Sequence, residues 1–111
     1  MAIGKEKRQS SRVKLKSPLR YRTIPVDAKG YRSAAVQDVS TTGFRFHSAE
    51  YIPRRASIIL EMNPLGHPPV CSLATAVWVR ERPGEGGYEV GGMFVDPPHG
   101  ARTTLGKLVS D

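Results

Sequence analysis

The chain has 111 residues, 39% of them apolar, and a formal net charge of +7. That is room for one domain with a single core, in a composition that is globular and not disordered. No run approaches the roughly eighteen apolar residues that span a bilayer. The start Met1-Ala2-Ile3-Gly4-Lys5-Glu6 has no apolar signal core, and the lone Cys71 rules out an internal disulfide, so a soluble cytoplasmic protein is expected.

The charge is concentrated at one end. Lys5, Lys7, Arg8, Arg12, Lys14, Lys16, Arg20 and Arg22 face only Glu6 within residues 1–22, which accounts for the whole excess of +7; the remaining residues are balanced. A neutral body with one basic segment suits a local anionic partner better than a long polyanion. The same segment also reads as a solvated tail.

Residues 1 to about 16 keep no period of 2 or 3.6 and are expected to be an arm ordered only on docking or binding. Pro18 ends it. This divides the chain into an N-terminal arm, residues 1–17, and a body, residues 18–111. Leu19 to Asp27 alternates at first and is rich in strand formers, with Pro25 marking an edge or bend. Ala28-Lys29-Gly30 is a turn. Tyr31 to Val39 is a second strand, Asp38-Val39-Ser40-Thr41-Thr42-Gly43 a polar turn, and Phe44-Arg45-Phe46-His47 an alternating strand with both phenylalanines on one face. In the turn, Asp and Ser side chains can hold nearby backbone, and Gly43 is expected to supply a positive φ.

Ala56 to Met62 is the next strand, with Ala56, Ile58 and Leu60 sharing a face. The Pro- and Gly-rich stretches 63–69 and 82–87 are loops. Val70 to Glu81 is a long strand, and Tyr88 to Asp96 the last, its paired Gly91-Gly92 suggesting a bulge or bend. Trp78, Phe44, Phe46 and Phe94 are expected in the core, while Tyr21, Tyr31, Tyr51 and Tyr88 cover edges. Cys71 reads as a small apolar filler. Thr103 to Val109 suggests one or two turns of helix. Six short strands without helical crossovers predict an all-β fold, a closed antiparallel barrel or a sandwich.

No catalytic constellation is visible. His47, His67 and His99 lie apart with no acidic or cysteine neighbour at metal-ligand spacing, and the carboxylates are scattered. There is no phosphate loop or nucleophile elbow. No enzyme activity, catalytic residue, metal or cofactor is expected. Binding chemistry is better represented. Arg8-Gln9-Ser10-Ser11-Arg12 sets two guanidinium groups four residues apart, each able to meet phosphate or the O6/N7 edge of guanine with paired hydrogen bonds. Asp38 can accept from guanine's Watson–Crick edge, Ser40 can donate and accept, and Gly43 admits close backbone approach. Each cluster is also common in ordinary tails and turns.

Together, Arg8-Gln9-Ser10-Ser11-Arg12 and Asp38-Val39-Ser40-Thr41-Thr42-Gly43 resemble the paired signature of PilZ domains, Arg-x-x-x-Arg followed by Asp/Asn-x-Ser-x-x-Gly. Ala76-Val77-Trp78-Val79-Arg80 and Tyr88-Glu89-Val90-Gly91-Gly92-Met93-Phe94 resemble that family's last two strands, so the likeness covers almost the whole chain. The resemblance implies a six-stranded antiparallel β-barrel that binds the bacterial second messenger cyclic di-GMP. It implies that Arg8 and Arg12 grip phosphates and a guanine, and that Asp38, Ser40 and Gly43 contact guanine from the barrel. Lys7 stands where the family's choice between one and two bound ligand molecules looks to be set, and a basic residue there is compatible with an intercalated pair. The short segment after Pro98 departs from the family's longer C-terminal helix.

The function so implied is a stand-alone receptor module that folds its arm over the ligand and signals to a protein partner in trans. Two other readings remain: a small barrel that binds nucleic acid, against which a neutral body and buried aromatics argue, and a PilZ-like adaptor without ligand.

Overall fold

The computed structural model describes residues 12–25 and 30–110. Along them run seven strands and one helix: β1 (Val13–Lys14), β2 (Pro18–Ile24), β3 (Arg32–Val39), β4 (Gly43–Ser48), β5 (Ser57–Met62), β6 (Val70–Glu81), β7 (Tyr88–Val95) and α1 (His99–Ser110). All pairings are antiparallel. The neighbour order β3-β2-β5-β6-β7-β4 returns to β3, so six strands close into a barrel. Closure removes the unpaired edges that a sheet this small would expose. The expected barrel is the one that forms; β1 is an addition to it.

β1 is too short to be a stave. It continues the line of β2 along the edge of β3, pairing Val13 with Val39 and Lys14 with Asp38. Leu15 N donates to Gln37 O, and Val36 N to Ser17 O. Val13 and Leu15 pack against the core. Residues 12–17, assigned from sequence to the arm, thus lie along the barrel wall.

The interior follows from alternation. Ile58, Leu60 and Met62 of β5 point inward while Ser57, Ile59 and Glu61 point out. Phe44 and Phe46 are fully buried, their rings stacked 5.8 Å apart. Phe94 tilts against Phe44 at 5.1 Å. Tyr21 corrects the expectation of an edge tyrosine: it alternates in step with Leu19 and is 2% exposed. Its buried hydroxyl finds the partner it needs in Ser48 Oγ at 2.8 Å. Tyr31 and Tyr51 do stay outside.

Two bulges break the period. In β3, Val36 faces Phe46 and Asp38 faces Arg45, which leaves Gln37 extra. In β6, Ala76 faces Gly92 and Trp78 faces Gly91, which leaves Val77 extra. One extra residue reverses the phase of all that follows. Unbroken alternation would bury Asp38 beside Val36 and Trp78 beside Ala76. The bulges turn both outward, so Trp78, expected in the core, is 37% exposed. The paired glycines lie in β7 opposite the second bulge, and the bulge itself belongs to β6.

α1 begins directly after Pro97-Pro98, a turn earlier than the sequence suggests. Ala101, Thr104 and Leu105 are buried and Leu108 packs on the core, a stripe at i, i+3, i+4 and i+7. Thr104 hides this stripe from an apolar count. The helix lies against β6 and adds Ala101 and Leu105 to the core. Cys71 sits in β6 as expected but faces outward; partial burial, then the nearby Glu61, pushes its thiol pKa up.

Candidate functional site

The turn between β3 and β4 is built from inside. Ser40 is buried, and its Oγ accepts from Gly43 N at 3.0 Å and Thr42 N at 3.2 Å. Ser40 N donates to Gly43 O at 2.8 Å. Its hydroxyl therefore holds the turn in shape. Gly43 is required for a reason other than the one expected. It is not among the glycines with positive φ. A Cβ on it would instead lie 2.5 Å from Gly92 O across the strand pair. The close approach of β4 and β7, not turn geometry, demands glycine here.

The bulge at Gln37 delivers Asp38 to the outer wall, where its side chain is nevertheless only 7% exposed. Guanidinium groups cover it. Arg12 Nη1 donates to Oδ1 at 2.9 Å and Arg45 Nε to Oδ2 at 2.9 Å. Arg45 continues to Glu89, with Nη1 3.1 Å from Oε2. Arg80 closes the row, donating from Nε and Nη2 to Glu89 Oε1 at 3.0 and 2.8 Å. The ladder Arg12–Asp38–Arg45–Glu89–Arg80 thus crosses the outer wall from β3 to β6. Three guanidinium groups against two carboxylates leave it net positive, and Arg12 is half exposed. Such a row attracts an anion and offers it planar paired donors.

Beside the ladder, Asp38, Arg45, Gly91 and Trp78 share one register row across four strands. Gly91 has no side chain, and the Trp78 indole lies over it where a Cβ would clash. The Arg80 guanidinium stands 5.6 Å from the indole centroid. On the other side, Gly43 pairs with Met93. A groove of about 370 Å³ opens there, lined by Thr41, Thr42, Met93, Phe94, Pro97 and Arg102.

Of the residues expected to act together, Arg12, Asp38, Ser40 and Gly43 meet in one place: the Arg12 Nη2 atom lies 3.8 Å from the position of a Gly43 Cβ. Lys7 and Arg8 lie outside the described residues. Arg45, Glu89, Arg80 and Trp78 were not singled out as site residues. Their signal was available in part, since Arg45 alternates outward between two core phenylalanines and Glu89 outward beside Val90. Trp78 carried none, because its direction depends on a bulge. Among the described residues there is no group of three His, Cys, Asp or Glu able to hold a metal. None of their helices is long and apolar enough to cross a membrane.

The molecule so described is a small closed antiparallel barrel whose outer wall carries an arginine–carboxylate ladder. The chain belongs to the PilZ domain family, whose model matches residues 6–111. No curated protein sequence matches it. Among solved structures, the PilZ domain of YcgR from Escherichia coli with c-di-GMP is similar at a TM-score of 0.74 and 12% identity, over 94% of this chain and 89% of that one. The inhibitor of motility MotI/DgrA of Bacillus subtilis is similar at 0.76 and 12%, over 94% of this chain and 49% of that one. The PilZ domain of CeSA from a cellulose-synthesizing bacterium reaches 0.64 and 13%, over 91% and 96%. The chain therefore spans about half the length of the MotI structure. At these identities the likeness is one of fold.

Proposed function

We propose that this chain is a cyclic di-GMP receptor module, not an enzyme, that binds its ligand on the outer wall at Arg12, Asp38 and Gly43. One observation carries the reading: the two motifs, 26 residues apart in sequence, meet through the Arg12–Asp38 bond at 2.9 Å. Asp38 is then the base-reading acceptor. Its Oδ1 is freed for a guanine N–H group once Arg12 turns to phosphate, while Oδ2 stays with Arg45. Gly43 gives close access, and Ser40 acts through the turn it holds. Lys7 and Arg8, in the arm of residues 1–17, close over the ligand from the other side. Ordering them costs on the order of 2–5 kcal/mol, whereas micromolar binding needs about 8 kcal/mol net. Several charge-assisted hydrogen bonds must therefore act together. The docked arm makes a new surface, which a protein partner reads.

Calorimetric titration tests this with cyclic di-GMP, GMP and a short oligonucleotide in parallel. Saturable binding of cyclic di-GMP with a weak salt dependence is expected. Affinity that rises with oligonucleotide length and falls steeply with salt would favour nucleic acid instead. That second reading has one observation behind it, the outward Trp78 beside Arg80, since an exposed aromatic is a stacking platform. An adaptor that has lost its ligand would bind none of the three.

A further inference from the structure

We infer that the groove between the Ser40–Gly43 turn and the start of α1 is the seat of the second base of a cyclic dinucleotide, read by Arg102. The inference rests on the proposed cyclic di-GMP site and extends it across Gly43. The groove begins where that site ends. Gly43 and Met93 are cross-strand partners, and antiparallel partners stand about 5 Å apart. Arg12 lies over Gly43, so a ligand gripped there by one half reaches Met93 with the other. Turn and strand are locked together at this point, Phe94 N donating to Thr42 O at 3.0 Å. The groove is thus preformed.

Its lining suits a purine. Met93 is 53% exposed on the outer face of β7, beside the ring of Pro97. A thioether and a pyrrolidine ring offer apolar contact to a flat heterocycle, the sulfur being soft and polarizable. Thr41, Thr42 and Arg102 add hydroxyl and guanidinium groups to the same lining. Arg102 Nε donates to the Pro97 carbonyl at 2.9 Å, which ties the guanidinium to the backbone of another groove residue. Its Nη2 meets the exposed Asp96 only at 3.4 Å. A guanidinium so held can present two donors to the O6/N7 edge of guanine. Adenine shows a donor and an acceptor there and is refused. The groove's volume of about 370 Å³ and open side admit a base while its ribose stays in solvent.

Asp38 and Arg102 then read one guanine each, and the pair distinguishes a ligand with two guanines from one with a single guanine. The test is titration of the full chain with cyclic di-GMP and with cyclic GMP–AMP. The intact chain is expected to prefer cyclic di-GMP by about 10-fold or more. Arg102→Ala should weaken cyclic di-GMP by roughly 10-fold and bring the two ligands level. Met93→Glu, in the same groove, should weaken both ligands. Neither residue is in the core, and circular dichroism checks that both variants fold. If Arg102→Ala and Met93→Glu bind cyclic di-GMP as the intact chain does, while Arg12→Ala binds it poorly, the groove assignment falls and the wall assignment stands. If Arg102→Ala weakens both ligands equally, Arg102 does not read the base. If the intact chain binds neither dinucleotide, both readings fall together.

Discussion

Two stretches of the same barrel wall use the same residue types to different effect. On β2 and β5, Arg20 bonds Glu61 through Nε and Nη2 at 3.1 and 2.6 Å. Arg20 and Arg22 both flank the exposed ring of Tyr31, at 4.5 and 4.9 Å. Glu61 raises the pKa of Arg20, which stays open to water. On β3, β4, β7 and β6, each carboxylate is shared. Asp38 takes Arg12 and Arg45, and Glu89 takes Arg45 and Arg80. The first arrangement is an ion pair in solvent, worth little. The second covers its carboxylates with guanidinium, so that loss of either acid takes a partner from two cations, with Arg45 keeping its other one. What sets the second wall apart is that its charges are shared and half-desolvated, not that there are more of them.

The largest expected effect breaks the shared side by ligand. Arg12→Ala and Asp38→Ala should each lose at least 10- to 100-fold in cyclic di-GMP affinity, about 1–3 kcal/mol or more, whereas Glu61→Gln should titrate like the parent. Trp78, the chain's single tryptophan, gives a fluorescence readout next to the ladder. Unchanged curves for both site variants would erase the distinction between the two walls.

Packing sharpens the comparison next. A Cβ at Gly92 would run into the buried Phe44 ring and come within 2.9 Å of Thr75 O, while the nearest atoms to one at Gly91 belong to the Trp78 indole. Gly92→Ala should therefore cost about 1–3 kcal/mol in urea unfolding as overpacking. Gly91→Ala should cost less, because an outward indole can swing away. Equal losses would mean that Trp78 is anchored as firmly as the core.

Charge comes third. Asp38→Asn should lower stability by about 1–2 kcal/mol, less than for a fully buried pair because both of its arginines reach water. Glu61→Gln should leave the unfolding curve unchanged within error.

The smallest effect belongs to His47, one register step along β4 from Arg45. Burial, then the nearby Arg82, lowers its pKa below the usual 6.5. A histidine lowered in the folded state adds stability that is complete above the unfolded pKa and lost as pH falls through the folded one. Acidification from about pH 7.5 to 5.5 should therefore destabilise the parent slightly more than His47→Gln, with urea midpoints as the measure. A steeper slope in the variant would reverse the sign.

Much of the barrel was legible in sequence because period 2 reports burial directly. Phe44 with Phe46 and Ile58 with Leu60 were placed correctly, and β6 was bounded at Val70 and Glu81. The errors share a cause. Tyr21 was expected to cover an edge, and tertiary structure instead supplies Ser48 for its buried hydroxyl. The first turn of α1 was missed because its burial comes from the barrel. The docking of residues 12–17 depends on an edge of β3 that no local pattern shows. Gly43 was identified as necessary, but from turn chemistry, when the reason lies in Gly92 on a strand some fifty residues later.

The sequence by itself determined six strands of an antiparallel barrel or sandwich, which the family resemblance narrowed to a closed barrel, a basic segment ahead of it, and the residue types proposed here for guanine recognition. Alternation and charge are local properties, written residue by residue. Tertiary structure alone decided which of those residues share a surface. One extra residue in β3 turned Asp38 outward to meet Arg12 and Arg45, and one in β6 turned Trp78 outward on the same row. A bulge has no composition of its own. It exists only as a mismatch between two paired strands, and is settled when both are in place.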